Sequence, residues 1–282
     1  MSDMSESYSI NVNGRLMTFG RPAVMGILNV TEESFYDASR VAAPDVLVRR
    51  AGEMLAAGAS ILDVGACSTR PGSTPVTEDE ELARLHGALE VLDREFPDAV
   101  VSVDTFRGAV VRECVKNHNV AIINDVSGYD WDGDMFAAVV ESRKPYVLTH
   151  SVGFAGNQPE YVDFLPQVIQ KLASKMWQLR QEGVADIIVD PGFGFGKSIE
   201  QNYSMLASLR EFAILDAPLL VGVSRKSMIT GLLGIGAGDA LPATTALNLV
   251  ALSNGASVLR VHDVAEAVQA VKLSRAIGKR FI

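Results

Sequence analysis

The sequence predicts an α/β protein built as a single (β/α)8 barrel with an N-terminal β-hairpin. Three observations carry that prediction: eight short apolar runs, helix-like stretches between them, and one joint that recurs before three of the runs. The runs are VMGILNV (24–30), ILDVG (61–65), VVSVD (100–104), AIIND (121–125), YVLTH (146–150), DIIVD (186–190), LLVGV (219–223) and SVLRVH (257–262). They are apolar throughout rather than alternating, as parallel strands buried on both faces are. Eight such units in 282 residues imply a closed barrel. The rival is an open doubly wound sheet; the strand count and the missing Gly-x-Gly-x-x-Gly turn favour the barrel.

Each element has its own signal. Residues 8–21, YSINVNGRLMTFGR, flank Asn13-Gly14 with alternating residues, the pattern of a tight hairpin placed to close the barrel floor. Residues 22–282 form the barrel, and the whole chain, 1–282, reads as one domain without linker or low-complexity segment. Pro44-Asp45 opens one helix, and Thr77 to Glu80 is a capping box that opens another. Residues 164–182 and 263–277 carry apolar side chains at helical spacing. Gly58-Ala-Ser, Gly183-Val-Ala and Gly255-Ala-Ser each precede a strand, so a helix ending on a C-cap glycine and a short link repeat three times.

Composition excludes several function classes. A net charge of −9 argues against nucleic acid and anionic membrane as partners. No apolar run approaches the ~20 residues of a membrane span. Two cysteines without metal-type spacing predict a reducing, cytoplasmic setting.

Barrels of this kind carry their sites at the C-terminal ends of the strands. Here those ends are Asn29, Asp63, Asp104, Asn124-Asp125, His150, Asp190, Ser224-Arg225-Lys226 and Arg260 with His262. One polar residue at a strand end commonly caps a helix or closes a turn; eight on one rim point to a site. Arg260 and His262 lie two apart on one strand and share a face, which makes a cationic pair at the mouth. Arg260 then either takes a phosphate in bidentate fashion or pairs with a barrel carboxylate. Asp104, Asn124 and Asp190 suit a flat heterocycle with adjacent N–H donors. Lys226 could meet a ring carbonyl or ring nitrogen, and Asn29 could give one oxygen to Mg²⁺.

The segment VDPGFGFGKS (189–198) raises a different possibility, a nucleotide phosphate loop, because Gly196-Lys197-Ser198 fits the pattern. Pro191 stands where that pattern needs its first glycine, and proline has no N–H to offer. The glycines here instead let backbone approach a heterocycle, with Phe195 packing on its face. The same residues could simply build a tight strand-to-helix turn. The stretches 31–39 and 66–73 are polar, lack helical period and are candidate lids.

Seven segments in order, MGILNVTEESF, LDVGACSTRPGS, SVDTF, INDVSG, DPGFGFGKS, GVSRKSM and RVHD, resemble those of the dihydropteroate synthase family, from about residue 22 to the C-terminus. The resemblance implies a Mg²⁺-dependent transferase that joins 7,8-dihydropterin-6-ylmethyl diphosphate to p-aminobenzoate, releases pyrophosphate and is a sulfonamide target. It implies that Asp104, Lys226 and Arg260 are catalytic, and that Asp104, Asn124, Asp190, Gly194, Phe195 and Lys226 bind the pterin. Asn29, Arg260 and His262 would hold pyrophosphate, with Mg²⁺ on Asn29. Phe35, Thr69, Arg70, Pro71 and Ser227 would shape the p-aminobenzoate site. A homodimer built on the late helices is implied too.

This chain departs from the family pattern at Glu32-Glu33, at Ala66-Cys67 and at Thr149 and Ser151, where Pro-Asp, Gly-Glu and two methionines are usual. Two rivals stand beside the synthase: a methyltetrahydrofolate-type pterin methyltransferase and a non-catalytic pterin binder. The first needs no pyrophosphate site, so Arg260 and His262 with Ser224 to Ser227 weigh against it. The second would not need Asp104.

Overall fold

The computed structural model describes residues 8–30, 43–67, 76–152 and 164–278. The hairpin is β1 (Ser9–Val12) and β2 (Arg15–Thr18), paired antiparallel through Val12 and Arg15. Asn13 and Gly14 turn it with φ of 51° and 83°, the doubly left-handed geometry that a two-residue hairpin turn requires.

The barrel strands are β3 (Ala23–Asn29), β4 (Ile61–Gly65), β5 (Val101–Asp104), β6 (Val120–Asp125), β7 (Tyr146–Thr149), β8 (Ile187–Asp190), β9 (Leu220–Val221) and β10 (Val258–Val261). All pair in parallel in the order β8-β7-β6-β5-β4-β3-β10-β9. A bridge between Val189 and Leu219, with Val189 N–H donating to Pro218 O at 2.9 Å, brings β8 against β9 and completes the ring. The predicted strand 219–223, here β9, is shorter in the structure because Gly222 and Val223 already lead into the turn, where Lys226 N–H reaches Val223 O.

Outside the ring run α1 (Ala43–Ala57), α2 (Glu78–Glu95), α3 (Gly108–Asn117), α4 (Met135–Ser142), α5 (Phe164–Gln181), α6 (Ile199–Ala207), α7 (Ser227–Leu233), α8 (Leu241–Ser253) and α9 (Val264–Gly278). The expected capping box opens α2: Thr77 Oγ1 accepts from Glu80 N, and Glu80 returns a carboxylate to Thr77 N. The repeated joint holds as well. Gly58, Gly183 and Gly255 take φ of 103°, 86° and 101°, which closes the helix before each strand without a Cβ penalty.

Alternation along the strands sorts the core into two layers. One face of each strand, with Val24, Leu62, Val103, Ile123, Leu148, Val189, Val221 and Leu259, packs on the helices. The other face enters the barrel, where Met25, Ile61, Ile122, Val147, Ile188, Leu220 and Val258 form an apolar floor with Ile10, Val12 and Phe19 of the hairpin segment. The hairpin therefore plugs the bottom of the barrel, as its sequence position predicted.

Candidate active site

Two residues further along each strand the interior changes character. Above the apolar floor come Asp63 on β4, Asn124 on β6, Asp190 on β8 and Arg260 on β10, each two positions beyond Ile61, Ile122, Ile188 and Val258. Side chains two apart on a strand share a face, so the same barrel wall that starts in hydrocarbon ends in charge. Asp104, at the end of β5, stands in register between Gly65 of β4 and Asn124 of β6.

Arg260 organises this layer. Its Nε donates to Asp63 Oδ2 at 2.6 Å, and its Nη2 donates to Asp104 Oδ2. Asn124 Nδ2 donates to the same Asp63 oxygen at 2.9 Å. Of the two roles open to Arg260 from sequence, the carboxylate pair is therefore the one formed, and the guanidinium lies inside the layer of acids rather than at the lip. Nη1 has no hydrogen-bond partner among the described residues. Burial would pull the arginine down, but Asp63 and Asp104 reverse it and hold it fully charged. Burial pushes Asp104 up, and Arg260 opposes that push.

Lys226 and Asp190 are the second set of opposite charges, acting on each other through space without a direct ion pair. Burial pushes Asp190 up, and Lys226 works against it. Burial pulls Lys226 down to about 8, with Asp190 the main opposing charge. The Lys226 ammonium donates to Phe193 O and sits 4.4 Å from the centroid of the Phe195 ring. Arg225, just before it, takes a left-handed φ of 57° and is forked onto Asp263 at 2.6 and 3.0 Å. That strained residue turns the chain so that Lys226 enters the pocket.

The turn after β8 answers the question of the phosphate loop. Lys197 Nζ donates inward to His150 O at 2.9 Å, Gly192 O at 2.7 Å and Phe195 O at 3.3 Å. Ser198 Oγ caps α6 by accepting from Gln201 N at 3.1 Å. Lysine and serine are both consumed in building the turn. Gly192, at φ 75°, passes so close to β7 that a Cβ would lie 1.9 Å from His150 O. Gly194, at φ 80°, leaves room for the stem of Lys226, which a Cβ would meet at 3.1 Å; its N–H donates to Asn202 Oδ1. Of the two phenylalanines, Phe193 is fully buried core and Phe195 is the half-buried one at the site.

Asn29 ends β3 in register with Gly65, and nothing among the described residues bonds its side-chain amide. His262 Nδ1 lies 2.9 Å from Ser224 Oγ, joining the ends of β10 and β9. Ser227 opens α7 at the exposed rim. Phe35, Thr69, Arg70, Pro71 and the Glu32-Glu33 departure lie outside the described residues. Thr149 and His150 are buried at the end of β7, and burial drives His150 far below its usual range, so its ring is neutral.

From sequence Asp63 is one strand end among eight, with no role of its own. The structure makes it the shared acceptor of Arg260 and Asn124. The available signal was its spacing, two residues after the interior Ile61 and fully enclosed by the run ILDVG.

Comparisons with known proteins give the family and the fold. The family model described as "Pterin binding enzyme" matches residues 25–262. Dihydropteroate synthase of Escherichia coli K12 is 40% identical over 268 residues, covering 93% of this chain and 94% of its own. Among solved structures, the Yersinia pestis dihydropteroate synthase with a sulfonamide drug complex superposes with a TM-score of 0.88 at 36% identity, covering 96% of this chain and 99% of that one. The Burkholderia cenocepacia enzyme complexed with 7,8-dihydropteroate gives 0.85 at 37% identity, with 96% of each chain covered.

Proposed function

We infer the work of each site residue from one premise: the chain belongs to the pterin-binding enzymes, in their dihydropteroate synthase group. The reaction condenses 7,8-dihydropterin-6-ylmethyl diphosphate with p-aminobenzoate to give 7,8-dihydropteroate and pyrophosphate, a step of folate biosynthesis. The observation that carries the assignment of residues is the convergence of Asp104, Asn124, Asp190, Lys226 and Arg260 on one end of one barrel.

The pterin ring is proposed to lie across the polar layer. Asp190 and Asn124 accept from its N–H edge, Lys226 donates to a ring carbonyl or nitrogen, and Phe195 packs beside it. Bond breaking between carbon and the diphosphate oxygen runs ahead of amine attack, so positive charge develops on the pterin. Asp63, Asp104 and Arg260 together carry one net negative charge when all are ionised, two acids against one base. That negative charge, when present beneath a developing cation, stabilises the transition state more than the ground state. Arg260, whose Nη1 is left over after its two carboxylate contacts, and His262 are the proposed partners of the departing pyrophosphate. The amine of p-aminobenzoate attacks the ring-bound carbon and then loses a proton. No covalent link to the protein is needed. Phe35, Thr69, Arg70, Pro71 and Ser227 are the proposed walls of the p-aminobenzoate site.

The proposed metal is Mg²⁺. Among the described residues there is no cluster of three or more His, Cys, Asp or Glu that could hold a metal ion. One amide oxygen, from Asn29, beside diphosphate oxygens and water fits Mg²⁺ better than a metal with an all-protein cage. When bound, it supplies charge neutralisation on the diphosphate.

The proposed assembly is a homodimer through α7, α8 and α9, which leave Leu232, Leu233, Val250, Leu273 and Ile277 exposed. Analytical ultracentrifugation at micromolar concentration should give the mass of two chains; a single-chain mass would refute it. A cytoplasmic location is proposed from the unpaired Cys67 and Cys114. The sulfonamide class bound by the Yersinia pestis relative is expected to compete with p-aminobenzoate here.

The direct test supplies the pterin diphosphate, p-aminobenzoate and Mg²⁺ and measures pyrophosphate. Release coupled to dihydropteroate formation supports the synthase. Pterin binding without release would support the non-catalytic alternative. Within the synthase, Asp104→Ala should lower kcat by about 100-fold or more while weakening pterin binding far less. Equal losses in both would remove Asp104 from its transition-state role.

A further inference from the structure

Asp63 reaches no ligand directly in the scheme above, yet it is the most enclosed charge in the site. Its side chain is fully buried, and both of its hydrogen bonds converge on one oxygen, Oδ2. One donor is Arg260 Nε at 2.6 Å, 197 positions away; the other is Asn124 Nδ2 at 2.9 Å, 61 positions away. The chemistry of that contact decides which way the Asn124 amide faces. An ionised carboxylate oxygen only accepts. The terminal atom of Asn124 beside it must therefore be the NH₂ group, and the amide carbonyl must turn away. Arg260 Nε donates to the same oxygen, so that oxygen is an acceptor toward both neighbours.

We propose that Asp63 is a specificity-determining positioning residue: by locking the Asn124 amide it makes that side chain an acceptor toward the pocket. The proposal rests on the assignment of Asn124 to the pterin site made above. With Asn124 fixed this way, the layer offers acceptors from Asn124, Asp104 and Asp190, and one ammonium from Lys226. Such a set selects a ring edge rich in N–H groups. Without Asp63 the Asn124 amide can rotate by half a turn, which exchanges acceptor for donor at nearly unchanged shape. A wrong face presented to a buried ligand edge leaves polar atoms unpaired on both sides, and this is where strong discrimination arises.

A double-mutant cycle on pterin affinity tests the proposal. The probe is 6-hydroxymethylpterin without diphosphate, titrated calorimetrically into the full-length wild type, N124A, D63L and D63L/N124A. Asn124→Ala alone should weaken binding about 10-fold, the cost of one buried hydrogen bond. Asp63→Leu, which keeps the shape of the side chain but not its acceptor, should cost about as much or more. In the D63L background, removal of Asn124 should cost no more than about 3-fold, because its orientation is already lost. Independent, multiplicative losses would overturn the proposal and leave Asn124 in the pocket. No loss in N124A alone would overturn both together.

A second variant covers the case in which D63L does not fold. In N124D the new carboxyl faces Asp63 of β4, with Asp104 of β5 and Arg260 of β10 in the same layer and Asp190 and Lys226 across it. Its repulsion from Asp63 is relieved when it is protonated, and the neutral acid can donate O–H to Asp63 while turning its carbonyl inward, as the amide does. The affinity ratio of N124D to N124A should thus rise at least about 10-fold as pH falls from 8 to 5.5. N124A carries all the other titrating groups and cancels them. A ratio that stays flat would overturn the proposal.

Discussion

Two lysines grip the turn after β8, Lys197 buried and Lys226 half-buried, and they do different things with the same ammonium. Lys197 spends all three of its N–H donors on backbone carbonyls, those of His150, Gly192 and Phe195. Lys226 spends one on Phe193 O and rests on the Phe195 ring, which leaves donors for a ligand. Lys197 has Asp190 as its main opposing charge, and burial pulls it down to about 7; Lys226 keeps the same acid and stands at about 8. Charge and neighbourhood are nearly matched. What separates a structural lysine from one available to substrate is the count of unspent donors.

Replacing each lysine by methionine breaks or sharpens that contrast. Lys226→Met removes a donor proposed to act on the pterin, so kcat/KM should fall on the order of 100-fold or more. Its melting temperature should hold, since only one carbonyl loses its partner. Lys197→Met strands three buried carbonyls instead. That should cost about 2–3 kcal/mol, and a melting temperature lower by roughly 5–10 °C in thermal unfolding. Were both variants to lose stability alike, the division between them would fail.

The two also differ in what pH should do. Burial places the Lys226 pKa at about 8, below the ~10.4 of a free lysine. The donating ammonium is thus lost as pH rises through 8, and kcat/KM should bend downward there, approaching a tenfold loss per unit. In stability the sign is opposite. Between about 8 and 10.4 the unfolded chain binds the extra proton, so the wild type should gain stability relative to K226M as pH climbs through that window. A pH–rate profile whose basic limb survives in K226M would assign the limb to another group.

Much of this arrangement was legible in the chain. Strand runs show because hydrocarbon on both faces leaves no alternation, and strand ends show because a charged or polar residue stands at or beside the end of each run. The capping box at Thr77 and the three glycine joints are local chemistry, readable within five residues. Pairing was not legible. Arg260 faces Asp63 and Asp104 across 197 and 156 positions, and nothing local in RVH says that its guanidinium turns inward rather than to the mouth. Asp63 was hidden for a similar reason, since its importance lies in whom it touches. The Gly-Lys-Ser of the turn resembled a phosphate loop because sequence records which donors exist and not where they point. Loop residues such as Thr69 and Arg70 carry no chemical signal of their own beyond the family likeness and lie outside the described residues.

The smallest effect is the most discriminating. Phe195 was expected to pack on the pterin face; in the structure one of its faces carries the Lys226 ammonium at 4.4 Å. If its contribution runs through that cation–π contact, worth about 0.5–1.4 kcal/mol at this half-buried site, Phe195→Leu should weaken pterin binding only about 2- to 10-fold. It should also shift the basic limb to lower pH, because the ring stabilises the charged form of the lysine. A direct stacking role gives a different pattern: a larger loss of affinity with the limb unmoved. Measuring the pH profile of F195L beside its pterin affinity separates the two, and it decides whether the turn after β8 touches substrate through its aromatic ring or only through the lysine that the ring supports.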